Sequence, residues 1–181
     1  ESESSPVLIT TGRVSGDMYE TILIATDGSE DSDGAVVHGL ALAKAFDATV
    51  HALSVVDLVP ATLGIEGVEI QDAREELVGA AERAVEAVED RAGRQGIDVV
   101  TAVEEGRPST SILEYADGHG ADLVVVGAGG KGRLARFLLG SVSEKVFRSA
   151  DVPVLTVPYA AANAATAYED ILVATDGGDS A

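Results

Sequence analysis

Apolar and polar positions fall into two kinds of block along this chain. Short runs with few or no polar residues, Ile22-Leu23-Ile24-Ala25, Leu123-Val124-Val125-Val126 and Pro153-Val154-Leu155-Thr156-Val157, predict strands. The second of these has no polar residue and is mostly β-branched, the pattern of a strand buried on both faces of a parallel sheet. Thr49 to Val56 and Val99 to Val103 alternate less cleanly and predict two further strands. Longer stretches with a helical period lie between them. Val36, Leu40 and Ala43 recur on one face. Leu77, Ala81, Ala84 and Val88 form a second stripe, with Glu75, Glu82, Glu86 and Glu89 off it as a solvated surface, and Ile112, Leu113 and Ala116 form a third. Ser29, Asp31 or Ser32 can cap the first helix, Gly93 and Gly96 end the second, and Pro108 suits the first turn of the third. Ser141, directly after Gly140, is expected to cap a fourth helix through Val142, Val146 and Phe147. Strands alternating with helices specify right-handed βαβ units and hence an α/β fold with a parallel sheet.

The end of the fourth strand carries the candidate chemistry. Gly127, Gly129, Gly130 and Gly132 follow it, then Gly140-Ser141. Ligands in open α/β sheets bind at the carboxyl ends of strands, and bare amides beside a helix N-terminus suit phosphate oxygens. Lys131, Arg133 and Arg136 place positive charge here in an otherwise acidic chain, and the Ser141 hydroxyl is available to the helix amides or to a ligand oxygen. The plainer alternative is that these glycines only turn the chain from strand to helix.

From Gly127 the pattern runs Gly, two residues, Gly130, nine residues, Gly140-Ser141. Ala121-Asp122-Leu123 leads into it, and Val142-Ser143-Glu144-Lys145-Val146 and Val152-Pro153-Val154-Leu155 follow. This pattern resembles the nucleotide-binding signature of the universal stress protein family. The resemblance implies an open five-stranded parallel sheet of order 3-2-1-4-5 with helices on both faces, Rossmann-like and akin to the adenine nucleotide alpha hydrolases. It implies that Gly127, Gly130, Gly140 and Ser141, with Lys131 and Val142 beside them, hold the phosphates and ribose of ATP, or of AMP or ADP, with Mg or Mn on the phosphates. In that order the sheet changes direction between its first and fourth strands, so Asp27 and Gly127 should face each other across a crevice. The family has an acidic residue at Asp27, which would orient ribose or adenine or help hold the metal; as a plain alternative it only closes a turn. A backbone contact to adenine falls near Val55. Ala25 stands where the family more usually has proline before Thr-Asp. A homodimer, or a tandem pseudo-dimer, through strand 153–157 is the implied assembly.

Composition narrows the function classes. The 181 residues are 46% hydrophobic but only 4% aromatic, so the core must be built from Val, Ala, Leu and Ile. With no cysteine, disulfides, thiolate metal sites and cysteine nucleophiles are excluded, and a reducing, cytoplasmic setting is compatible. No apolar run approaches the roughly 20 residues that span a bilayer, and residues 1–17 are polar and acidic where a signal peptide is basic and then apolar. Twelve basic against 31 acidic residues give a net charge of −19, which repels nucleic acid and anionic membrane. The acidic excess resembles that of proteins from salt-loving organisms, in which concentrated counterions screen self-repulsion.

Other chemistries fit less well. Gly127-Ala128-Gly129-Gly130-Lys131-Gly132 satisfies the dinucleotide fingerprint G-x-G-x-x-G, but that motif belongs after the first strand and here follows the fourth. No Walker A sequence occurs. His38, His51 and His119 lie on separate elements without ligand spacing, which makes them surface or packing residues. Ser141 has no His and Asp partners, so it is a donor or cap rather than a nucleophile, and no base poised to activate water can be named. The expectation is therefore ATP binding with little or no hydrolysis. The competing class is a regulatory module, alone or within a larger protein or transporter, that binds no nucleotide and pairs through its edge strand, the fifth, which Pro153 and Pro158 bracket.

The domain boundaries follow from a repeat. Tyr168 to Gly177 repeats Tyr19 to Gly28 at an offset of 149 residues, with Ile171 against Ile22. The expected organisation is a tail or remnant of a preceding copy at 1–17, a domain at 18–158, a linker at 159–168 and the first strand of a truncated second copy at 169–181. Pro6-Val7-Leu8-Ile9-Thr10 resembles the fifth strand, Pro153 to Val157.

Overall fold

In the computed structural model the described residues are 8–9, 19–58, 68–129 and 139–158. The expected linker and second copy, most of residues 1–17, and the site candidates Gly130 and Lys131 lie outside them. The elements, in chain order, are β1 (Leu8–Ile9), β2 (Thr21–Ala25), α1 (Glu30–Phe46), β3 (Thr49–Val56), α2 (Val68–Gly93), β4 (Val99–Glu105), α3 (Pro108–Gly118), β5 (Leu123–Gly127), α4 (Ser141–Ser149) and β6 (Val154–Val157). Five parallel strands lie in the order β4-β3-β2-β5-β6, the expected 3-2-1-4-5 arrangement.

The central strands are buried on both faces because their side chains alternate between two cores. Ile22 and Ile24 of β2 and Leu123 and Val125 of β5 pack with α1 and α2 on one face. Leu23, Val124 and Val126 pack with α3 and α4 on the other. Ile22, Leu23 and Ile24 are completely buried, which stabilises the fold by about 1.5–3 kcal/mol for each side chain. At the amino ends of these strands the Asp122 carboxylate accepts the N–H groups of Glu20 and Thr21, both at 2.9 Å, tying the start of β2 to that of β5. The opposite, carboxyl ends are thereby set in register, Ala25 opposite Val126.

One expectation needs correction here. The fifth strand, β6, is not an open edge: β1 pairs antiparallel along it, Leu8 opposite Thr156 and Ile9 opposite Leu155. The physical reason is that an apolar strand with unpaired backbone groups accepts any segment able to complete its ladder. The sheet's exposed edge is β4, where Val100 is 46% exposed and an Arg74–Glu105 ion pair ties α2 to the strand.

Two of the histidines, on separate elements as expected, are packing residues that meet each other. His51 on β3 and His119 after α3 meet around Tyr115: His51 Nδ1 lies 3.0 Å from the Tyr115 hydroxyl, and the His119 ring stacks on Tyr115 with centroids 3.8 Å apart. This cluster joins α3 to the sheet. Burial, then the neighbouring charge of His119, holds the His51 pKa below its usual value. The folded state therefore favours neutral His51, and the unfolded chain binds more protons between the two pKa values. The stability this contributes is present above about pH 6.5 and is lost as pH falls through the folded-state pKa. Melting temperatures measured from pH 7.5 to pH 5 should fall for the wild type, and the decline should be shallower in His51→Phe.

Candidate functional site

The carboxyl ends of β2 and β5 open into a cleft of about 300 Å³, the place where the strand order reverses. One wall is apolar, formed by Ala25, Leu53, Val55, Ile112 and Val126. The rest is polar or bare backbone: Asp27, Ser29 and Asp31 from the β2–α1 turn, and Gly127, Gly129 and Gly140-Ser141-Val142 from the β5–α4 side. Ala25, Asp27, Val55, Gly127, Gly140, Ser141 and Val142, all expected at the site, are therefore brought to one cavity.

The β2–α1 turn is built by its own polar side chains. Ser29 caps α1, its hydroxyl accepting the Ser32 N–H, and Asp27 Oδ1 accepts the Ser29 N–H at 2.9 Å. Beneath them the buried Thr26 and Ser32 hydroxyls meet at 3.0 Å. Desolvation pushes the Asp27 carboxyl up, but hydrogen bonds from the hydroxyl and amide of Ser29 and from the Ser32 hydroxyl outweigh it and hold its pKa below the usual carboxylate value. Asp27 is thus an anion at neutral pH, with one oxygen committed to the turn. Asp31 differs: its Oδ1 is enclosed and has no hydrogen-bond partner among the described residues.

On the other side the two glycine turns touch. Gly140 N–H donates to the Ala128 carbonyl at 2.5 Å, and Ala128 N–H donates to Val157 at 2.8 Å. Gly129 has φ +74°, and a Cβ there would come within 3.2 Å of the Gly140 Cα; glycine meets both demands. The contact lets the turns after β5 and before α4 form one surface.

Ser141 does not cap α4. Gly140 is the N-cap and makes no side-chain cap bond; Ser141 is the first helical residue and is exposed. Because Gly140 already takes the extended cap conformation, Ser141 is left free of the cap and lines the cleft. Ser143 was the residue sequence reasoning missed. It is buried, its hydroxyl within reach of the Ala128 carbonyl at 3.1 Å and the Gly140 carbonyl at 3.0 Å, so it pins both turns. The available signal was its place three residues after the cap, where a serine can bond back to the chain.

The first bond inside α4 runs from Glu144 N–H to the Gly140 carbonyl. The N–H groups of Ser141, Val142 and Ser143 consequently have no partner within the helix, and they carry its positive dipole end. Three amides at the cleft, with no side chain on Gly127, Gly129 or Gly140, suit the oxygens of a phosphate group. The apolar wall suits a planar base. Among the described residues no group of three or more His, Asp or Glu side chains could hold a metal by itself, so a cation here would need ligand oxygens.

Comparison with known proteins agrees with the fold. Residues 18–158 match the model of the universal stress protein family. A universal stress protein of Methanocaldococcus jannaschii is 41% identical over 141 residues, covering 77% of this chain and 82% of the relative. Among solved structures, hypothetical protein MJ0577 superposes with a TM-score of 0.67 at 30% identity, covering 78% of this chain and 96% of that one. A universal stress protein in complex with cAMP superposes with a TM-score of 0.58 at 29% identity, covering 78% and 98%.

The tightest contact in the cleft gives a direct check. A Cβ on Gly127 would lie 2.6 Å from the Asp31 carbonyl oxygen, a backbone atom that cannot move aside cheaply. Gly127→Ala should destabilise the fold by about 1–3 kcal/mol, measured by urea unfolding; a stability equal to the wild type would mean that the α1 turn does not pack against β5 this closely.

Proposed function

The chain belongs to the universal stress protein family, and on that premise we propose that it is an ATP-binding signalling or stress-response module with little or no hydrolysis. The observation that carries this reading is the contact of the Gly127–Gly129 and Gly140 turns at the α4 N-terminus, beside an apolar wall. Phosphates sit on the amides of the two turns, with Gly130 and Lys131 continuing the same loop in sequence, and adenine lies against Ala25, Leu53 and Val55. Asp27 would help hold Mg or Mn on the phosphates, where the ion would neutralise their charge. The solved relative that binds cAMP supports an adenine nucleotide as the class of ligand. Occupancy rather than turnover is the signal in this reading, because the sequence names no base poised to activate water.

Assembly is read as two domains meeting along β6, either two copies of the chain or neighbouring domains of one tandem chain. In support, the outer side of β6 accepts an antiparallel strand in β1, whose Leu8-Ile9 lies in a segment similar in sequence to β6 itself. A cytoplasmic, salt-rich setting fits the cysteine-free chain and the net charge of −19.

Purified protein should release adenine nucleotide on denaturation, or its melting temperature should rise when Mg-ATP is added. Val55→Trp, which fills the apolar wall, should weaken ATP binding by at least about tenfold while the fold is retained; unchanged affinity would favour the reading as an interaction module without nucleotide. Separately, the melting temperature should rise between dilute buffer and molar KCl, because screening relieves the repulsion of 31 acidic residues; no rise would remove the salt-adapted reading.

A further inference from the structure

We propose that Ser143 is a positioning residue for the phosphate end of the nucleotide: it holds the first turn of α4 at one orientation to the turn after β5 and thereby sets phosphate affinity. This role rests on the nucleotide reading above. The amides assigned to the phosphates come from two separate segments, so their fit to one anion depends on how those segments are held together. One tie between them is backbone, the Gly140 N–H donating to the Ala128 carbonyl. Neither Gly129 nor Gly140 has a side chain where the two meet, and a single hydrogen bond between bare backbones is a pivot.

Ser143 adds a second tie one helical turn further on. Its buried hydroxyl lies 3.1 Å from the same Ala128 carbonyl. Ala128 is itself anchored to the sheet, its N–H donating to the Val157 carbonyl at 2.8 Å. Two ties from different points of α4 narrow the orientations open to its first turn, and the N–H groups of Ser141, Val142 and Ser143 lie in that turn. Donors already in place bind an anion more tightly than donors that must be ordered on binding. A serine bonding back to the carbonyl three residues earlier is ordinary in a helix, and the Gly140 carbonyl at 3.0 Å offers that bond. The reach across to Ala128 is what such a bond alone does not provide. A hydroxyl has one proton, and here two carbonyls compete for it, so Ser143 acts through the amides rather than on the ligand.

The test is Ser143→Ala in the full chain, which removes the hydroxyl and keeps a good helix former. Calorimetry gives the affinities for Mg-ATP and adenosine, and NMR follows exchange of the Gly140 N–H in the nucleotide-free protein. Mg-ATP should bind about threefold to tenfold more weakly, while adenosine, which has no phosphate, keeps its wild-type affinity. The Gly140 N–H should exchange at least about threefold faster, because its tie to Ala128 opens more often. AMP replaces adenosine if adenosine binds too weakly to measure, and its loss should be smaller than that of ATP. Equal weakening of both ligands would mean a merely structural role. A loss confined to ATP with unchanged Gly140 exchange would mean direct contact of the hydroxyl with phosphate. Either result, or wild-type affinity for Mg-ATP, would overturn the positioning role and leave the nucleotide reading standing. If the wild type binds no adenine nucleotide, the nucleotide reading fails and the role of Ser143 falls with it.

Discussion

The site depends on how closely backbone can approach backbone at the carboxyl end of β5. Gly127 lies against the first turn of α1, and Gly129 lies against Gly140 at the start of α4. Side chains at these positions would hold two helix N-termini apart from the strand ends. With none present, three amides of α4 that have no partner within the helix and the polar turn before α1 share one cleft. The burial of β2 and β5 between two aliphatic cores fixes the strand ends on which this closeness rests.

Charge makes the arrangement selective. A chain with a net charge of −19 is a poor surface for polyanions in general. Its cleft can still receive one anionic group, because backbone dipoles attract a phosphate without adding formal positive charge. The carboxylates of Asp27 and Asp31 then bias the rest of the cleft toward donors and cations. In the proposed reading this polarity orients the ligand, with its anionic end toward the amides and its apolar ring toward Leu53 and Val55.

Much of this was legible in the sequence because strand period, glycine spacing and helix punctuation are local signals. The β3 boundaries, the proline at the start of α3 and the acidic outer face of α2 all follow from residues within a few positions of one another. What was not legible depends on contacts between distant segments. Ser141 looked like the cap because it is the first side chain with a hydroxyl after Gly140, but the backbone gave the cap to the glycine and the buried hydroxyl to Ser143. The meeting of His51 and His119 depends on where α3 ends over β3, which no spacing reveals. The coverage of β6 by Leu8–Ile9 is likewise a pairing choice; the segment's likeness to β6 was visible, but its partner was not.

The central claim is that the amides of the two glycine turns form one receptor for a polyanionic tail. Backbone NMR during a Mg-ATP titration tests it most directly. The account predicts that the N–H signals of Gly127, Gly129, Ser141 and Val142 shift together with a single affinity, while those of the distant edge strand β4 stay in place. Saturable binding that leaves these four signals unmoved, or that shifts the two turns with different affinities, would contradict it.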